Sequence, residues 1–291
     1  SSADIDKAAN RIIESKSFDN SVLCTNESVL ITLPEVDKQL RQSLKKYGAY
    51  FCNDDDTSRL RRYLFHGAGF NIETIGRDAT WIAKECGIRV PEKTAILVAP
   101  IDQIGIEEPL SREKLCPVLA YHVAKNRDQA IMQARAVLRL TGAGHSAAVH
   151  AMDETVTMAF ARALEVYRIV VNAPCSQGAA GFGTALAPTF TIGTGFFGRS
   201  SIGENIGPEH LVHWTKLAYN EDTSEKFGDY FGVGNNFSGP LPSAPEDGVP
   251  GAGHYHFVPP TVSMNVDPLS SITRTELRQM IAEELRGALR G

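Results

Sequence analysis

A chain of 291 residues is long enough to bury a full hydrophobic core, and its length admits one or two domains. Hydrophobic residues make up 43% and charged residues 22%, the balance of a globular chain, and a formal charge of -5 supplies no basic field for nucleic acid or an anionic membrane surface. No run approaches the roughly 18 apolar residues of a membrane-spanning helix, and no signal-peptide pattern opens the chain.

In chain order, Ile5, Ala8, Ala9, Ile12 and Ile13 recur at helical spacing, with Ser2 as the expected N-cap and Asp4 and Asp6 in the first turn. Residues 28–33 are apolar and β-branched and stop at Pro34, so they read as a strand. Cys24 falls between this helix and this strand, at a junction where a rigid scaffold can present a side chain to a cleft. Helical stripes follow at 35–46 (Val36, Leu40, Leu44), 54–65 (Leu60, Leu64) and 80–86, the last ended by Gly87. Residues 94–99 and 118–123 are continuous apolar strands of the kind buried on both faces. A helix over 127–140, facing inward with Ala130, Ile131, Ala134, Val137 and Leu138, a strand over 146–150, a helix over 154–164 and a strand over 167–171 complete the pattern. Strands alternating with helices predict an α/β domain with a largely parallel sheet covered on both faces, a three-layer αβα arrangement, over 1–220.

Residues 221–265 are rich in glycine and proline and read as a linker. The segment 266–291 reads as an amphipathic helix: Thr273-Arg-Thr-Glu276 fits a capping box, and Leu277, Met280, Ile281, Leu285, Ala288 and Leu289 share one face. So short a helix is marginal alone in water, so its apolar stripe calls for a partner, which could be its own domain or a sister subunit.

The five cysteines are odd in number and form no CxxC pair. That argues against a disulfide framework and a zinc site and fits a reducing, cytoplasmic compartment. Cys52 and Cys86 read as structural, and His122, His150, His210, His213, His254 and His256 have no acid or cysteine at ligand spacing, so no metal site is expected. Gly193-Thr-Gly195-Phe-Phe-Gly198 matches a GxGxxG pattern after a strand-like run, but the Arg199-Ser-Ser-Ile-Gly203 that follows has no helical period, so a dinucleotide site is not expected there. No Lys, Arg or His lies within three residues of Cys24. A thiol titrating near pH ~8.5 must therefore be activated by tertiary neighbours or backbone N–H groups.

Lys16-Ser-Phe-Asp-Asn20 with Cys24-Thr-Asn-Glu27, then Glu107-Glu-Pro-Leu-Ser-Arg-Glu-Lys-Leu-Cys-Pro-Val-Leu119, Gly142-Ala-Gly-His-Ser146, Asn172-Ala-Pro-Cys-Ser-Gln-Gly178 and Gly193 to Leu211 occur in that order over about the first three quarters of the chain. Together they resemble the catalytic segments of coenzyme-A-acylating aldehyde dehydrogenases, above all the aldehyde dehydrogenase half of bifunctional aldehyde–alcohol dehydrogenases. In that family the dinucleotide-binding domain precedes the cysteine, so the expectation is a catalytic half with that domain absent. The resemblance implies that Cys24 attacks the aldehyde, that hydride leaves for NAD or NADP, and that coenzyme A takes the acyl group from the thioester. It implies an oxyanion met by the Cys24 backbone N–H and by an asparagine from the missing half. Glu113 is implied as the acceptor for the nicotinamide ribose, a role two carboxylate oxygens suit. His145 matches a glycine–histidine pattern in which Ser146 replaces threonine, and an imidazole titrating near pH ~6.5 suits proton transfer with the coenzyme A thiol.

Glu107 and Glu108 read as solvated loop acids, Cys175 as wall rather than a second nucleophile, and Phe196-Phe197 as a narrow passage for a short aldehyde, with Arg199 beside it. The tail resembles the peptides that carry such enzymes into bacterial microcompartments, so a shell protein and a homo-oligomer are the expected macromolecular partners. A hydrolytic aldehyde dehydrogenase and a non-catalytic assembly fragment remain the alternatives; the first needs a general-base glutamate that the family places upstream of Ser1.

Overall fold

Asp4, rather than Ser2, starts the first helix: its extended backbone turns the chain and its carboxylate accepts from the Lys7 N–H at 3.1 Å. The Ser2 hydroxyl instead accepts from the N–H groups of Met152 and Asp153. This computed structural model describes residues 2–66, 69–216 and 218, all within one unit, Ser1–Ala218. The linker 221–265 and the helix 266–291 expected from the sequence lie outside the described residues.

The elements run α1 (Ile5–Ser17), β1 (Val29–Thr32), α2 (Pro34–Lys46), β2 (Ala49–Phe51), α3 (Asp54–Leu64), β3 (Phe65–His66), β4 (Gly69–Phe70), α4 (Ala79–Glu85), β5 (Ile96–Pro100), β6 (Val118–Val123), α5 (Arg127–Leu140), β7 (Gly144–Val149), α6 (Glu154–Ala163), β8 (Val166–Val171) and α7 (Cys175–Ala179). Pro34 both ends β1 and opens α2, because its missing N–H costs nothing in a first helical turn. The short strands β2, β3 and β4 carry no periodicity long enough to be seen in sequence.

β1, β6, β5 and β2 form a parallel sheet in that order, with Val29 opposite Ala120, Val98 opposite Leu119 and Ala49 opposite Ile96. Alternation along its central strands sorts side chains to two faces. Ile96, Val98, Leu119 and Tyr121 pack with Ile12, Ile13, Leu40 and Leu44 of α1 and α2. Leu97, Ala99, Val118 and Ala120 pack with Leu60, Leu64, Ile82 and Ala83 of α3 and α4. These two cores make the three layers, and they explain the unbroken apolar runs of β5 and β6. β7 and β8 pair in parallel as a separate two-stranded sheet, Ala147 opposite Ile169, with α7 packed below through Val170, Cys175 and Ala179. The parallel pairing expected across the domain is present, but divided between two sheets. Among the described residues no helix is long and apolar enough to cross a membrane.

Candidate functional site

Between α1 and β1 the chain makes a turn whose residues Asp19, Asn20 and Ser21 have φ of 49°, 47° and 61°. Three successive left-handed residues without a glycine are strained, Ser21 most of all, since Asp and Asn tolerate this region better. The fold holds the turn by side-chain anchors. Asn20 Nδ2 donates to Gly76 O at 3.0 Å, Thr25 Oγ1 to Ser176 O at 2.9 Å, and Asn26 Nδ2 to the carbonyls of Ser15 and Phe18. Cys24, between these anchors, is exposed, and among the described residues its N–H meets no acceptor other than its own thiol.

Behind the turn lie buried ionisable groups. Glu27 accepts from the Cys175 N–H at 3.3 Å through one oxygen, while its other oxygen is buried without a partner. Burial pushes this carboxyl up, against the pull of Ser15, of Lys16 and of the Cys175 amide. Lys16 and Lys114 are fully buried. Lys114 Nζ donates to Ser28 O (3.0 Å), Arg112 O (2.8 Å) and Leu110 O, and Lys16 Nζ to Lys114 O at 3.4 Å. Burial lowers Lys16 to about 8; burial and the like charge of Lys16 lower Lys114 to about 7.

Cys24, Glu113 and His145 line one cavity of about 380 Å³, shared with Ser146 and Cys175 and floored by apolar residues such as Leu30 and Val137. The structure therefore brings the three sequence candidates together. Desolvation, then the Glu113 charge, hold the Cys24 thiol above its ordinary value, and Arg168 acts in the opposite sense. His145 Nδ1 lies 3.2 Å from Ser146 Oγ; burial and the Arg168 charge lower the imidazole to about 4, so it is neutral at neutral pH. Glu113 is exposed, its N–H donates to Thr141 Oγ1, and its carboxylate has no partner among the described residues, which leaves it free to accept from a ligand's hydroxyls.

Other expectations change. Glu107 is exposed, but Glu108 is not a solvated acid: it is 5% exposed and takes a two-pronged bond from Arg61 at 3.0 and 2.6 Å. The aromatic pair does not narrow the cavity, because Phe196 is 82% exposed and Phe197 packs on Tyr167 with ring centroids 5.6 Å apart. Gly193–Gly198 forms a doubled-back turn in which the Gly193 N–H donates to Glu204 O and the Gly195 N–H to Ile202 O, each at 2.8 Å, and among the described residues no α-helix follows it. This turn presses the Thr194 carbonyl onto Gly144 (φ 77°), where any Cβ would collide. Cys175 is buried wall, with its thiol pushed far up by desolvation.

No family model matches the chain. A curated aldehyde-alcohol dehydrogenase of Streptococcus pneumoniae is 37% identical over 226 residues, which cover 74% of this chain and 26% of that protein. Among solved structures, an acetylating aldehyde dehydrogenase from Geobacillus thermoglucosidasius is 31% identical with a TM-score of 0.71, covering 76% of this chain and 50% of that one. A propionaldehyde dehydrogenase from the fucose utilisation microcompartment of Clostridium phytofermentans is 30% identical with a TM-score of 0.62, covering 67% and 44%. A Rhodopseudomonas palustris propionaldehyde dehydrogenase, solved with bound CoA and an acylated cysteine, is 27% identical with a TM-score of 0.61, covering 68% and 45%. The chain belongs to the acylating aldehyde dehydrogenases. It spans about a quarter of the bifunctional relative and half of the Geobacillus enzyme.

Within this family member, sequence reading passed over the buried charges. In the sequence, Lys16, Glu27 and Lys114 stand out only as parts of motifs, and Arg168 only as part of the strand Tyr167-Arg-Ile-Val-Val171. The available signal was a charge interrupting an apolar, β-branched run, which a buried strand tolerates only when every donor is satisfied.

Proposed function

We propose that this chain is the catalytic part of an enzyme that converts an aldehyde, NAD(P)+ and coenzyme A to acyl-CoA and NAD(P)H through a thioester on Cys24. The observation that carries the reading is the exposed Cys24, held on an anchored turn at the mouth of a cavity it shares with Glu113 and His145. The names of the similar proteins, acetylating or propionaldehyde dehydrogenases, support the same reaction class.

Cys24 Sγ, as thiolate, bonds to the carbonyl carbon, and the Cys24 N–H, which no other described residue engages, donates to the oxygen that becomes negative. Bound NAD(P)+ supplies the hydride acceptor; of the described residues, the free carboxylate of Glu113 fits its ribose hydroxyls. Loss of hydride leaves the acyl group on sulfur. The coenzyme A thiol then attacks that thioester, acyl-CoA departs and the Cys24 sulfur is restored. His145 is in its acceptor form for the coenzyme A proton, and a group titrating near 4 is too weak a base to keep that proton, so it orients the thiol rather than storing its proton.

Incubation with an acyl-CoA should add one acyl mass at Cys24; Cys24→Ala should carry none, and Cys175→Ser should keep most of it. Acylation persisting in the Cys24→Ala protein would overturn the assignment. We also infer a homo-oligomer housed in a microcompartment, with residues 266–291 docking on a shell protein; support comes from the tail pattern and from the Clostridium phytofermentans relative. A fluorescent protein fused to 266–291 should gather in the shells of cells that make them, and a diffuse signal there would sink the docking role.

A further inference from the structure

Arg168 projects from β8 into a place where, among the described residues, no carboxylate meets it. The residue is 2% exposed, and its Nε donates to Ser146 Oγ at 3.2 Å. One terminal nitrogen donates to Gly203 O at 3.0 Å and to Asn205 Oδ1 at 3.5 Å. The other donates to Gly193 O at 2.6 Å, His145 O at 3.1 Å and Gly144 O at 3.3 Å. Six acceptors occupy five N–H groups, so no donor is left for a substrate carboxylate or phosphate, and the side chain is not an anion receptor. All six acceptors are neutral. The bonds make burial of the guanidinium tolerable, but they do not cancel its charge.

The acceptors fall in two groups. Gly144, His145 and Ser146 open β7 and include the cavity-lining histidine; Gly193 begins the glycine-rich turn, and Gly203 and Asn205 lie on the returning segment that pairs with it. One side chain therefore ties strand, turn and cavity wall together. The acids that its charge reaches are thiols, Cys24 and Cys175. Of the groups facing Cys24, Glu113 in the segment before β6 disfavours its thiolate, and His145 on β7 is neutral. Cys175 on α7 is held protonated by burial, and Glu27 and Lys16 lie behind the turn, within reach of each other's charge.

We propose that Arg168 is the positioning residue of this site, pinning the segment that carries His145 to the glycine-rich turn and lending Cys24 the uncancelled positive charge that favours its thiolate. The inference rests on Cys24 as the nucleophile. The proton released from the thiol passes to solvent, and no other bond changes.

The test is the pH dependence of Cys24 alkylation by iodoacetamide in the full chain, followed by mass spectrometry, with circular dichroism to establish folding. Arg168→Gln removes the charge, and alkylation near neutral pH should slow about threefold to tenfold as the midpoint rises. Arg168→Lys keeps the charge and should hold the midpoint close to the parent's while loosening the clamp, which a lower melting temperature reads. Ser146→Asp leaves Arg168 in place and sets a carboxylate against its Nε, so it should raise the midpoint as Arg168→Gln does. A parental midpoint in a folded Arg168→Gln protein overturns the proposal; should that variant not fold, a parental midpoint in Ser146→Asp overturns it instead. Failure here leaves the acylation of Cys24 untouched, whereas failure of the parent to acylate Cys24 removes the proposed reaction and leaves the titration readable.

Discussion

Around the four-stranded sheet, α1 to α4 bury leucine, isoleucine and alanine side chains on both faces, many to zero exposure. Around β7 and β8, no residue of α5 or α6 is buried, and the largest fully buried side chain is the charged Arg168. The first region is held by apolar area removed from water, worth roughly 1.5–3 kcal/mol for each fully buried large side chain. The second is held by directional bonds converging on one guanidinium. The cavity lies where the two regions meet, with Cys24 and Glu113 contributed by the first and His145 and Cys175 by the second. Rigid packing on one side fixes the strained cysteine turn. Partly exposed helices on the other leave a wall whose geometry depends on few, specific contacts, the arrangement expected where part of a site opens at lower cost than the core.

The unequal packing of the two regions predicts unequal losses on truncation. Leu97→Ala, at a fully buried strand position, should cost about 2–5 kcal/mol, whereas Leu138→Ala on the half-buried face of α5 should cost less than about 1.5 kcal/mol. Urea unfolding of the two variants measures both, and equal losses would mean that the regions are packed alike.

Each region also has its own pH window. In the first, Lys114 titrates at about 7 when folded and near 10.5 when unfolded. Between those values the unfolded chain binds more protons, so stability contributed by this group rises with pH over about 7 to 10.5. Lys114→Met should remove that rise, on the order of 5 kcal/mol, when unfolding free energies are compared across the window. In the second region His150, just beyond β7, is lowered by burial to about 4 and has both ring nitrogens without partners. The same sign applies: stability climbs from pH 4 toward 6.5, and is lost on acidification because the unfolded imidazole takes up the proton first. His150→Leu should flatten that acid limb by on the order of 3 kcal/mol. An acid limb unchanged by this substitution would assign the pH response elsewhere.

Much of the architecture was legible in the chain. The stripes Leu60/Leu64 and Leu40/Leu44, and the unbroken apolar runs of β5 and β6, follow from local periodicity, which reports how many faces of an element must be covered. The cavity's three candidate residues were legible by family resemblance, since Cys24, Glu113 and His145 are far apart in sequence and only motif order connects them. Their meeting in one cavity depends on the crossover connections of the sheet, which periodicity does not encode.

Local chemistry did settle some points by itself: the β-branched run that makes β1, the proline that turns it into α2, and the lack of helical period after Gly193-Thr-Gly195-Phe-Phe-Gly198. Tertiary structure decided which charges are buried. Glu108 looked like a surface acid until α3 brought Arg61 to it. Arg168 looked like one residue of a strand until β7 and the glycine-rich turn supplied six neutral acceptors. The physical reason is range. Propensity and amphipathicity act over a few residues, whereas desolvation of a charge, and the partners that make it bearable, are set by whatever distant segments the fold packs against it.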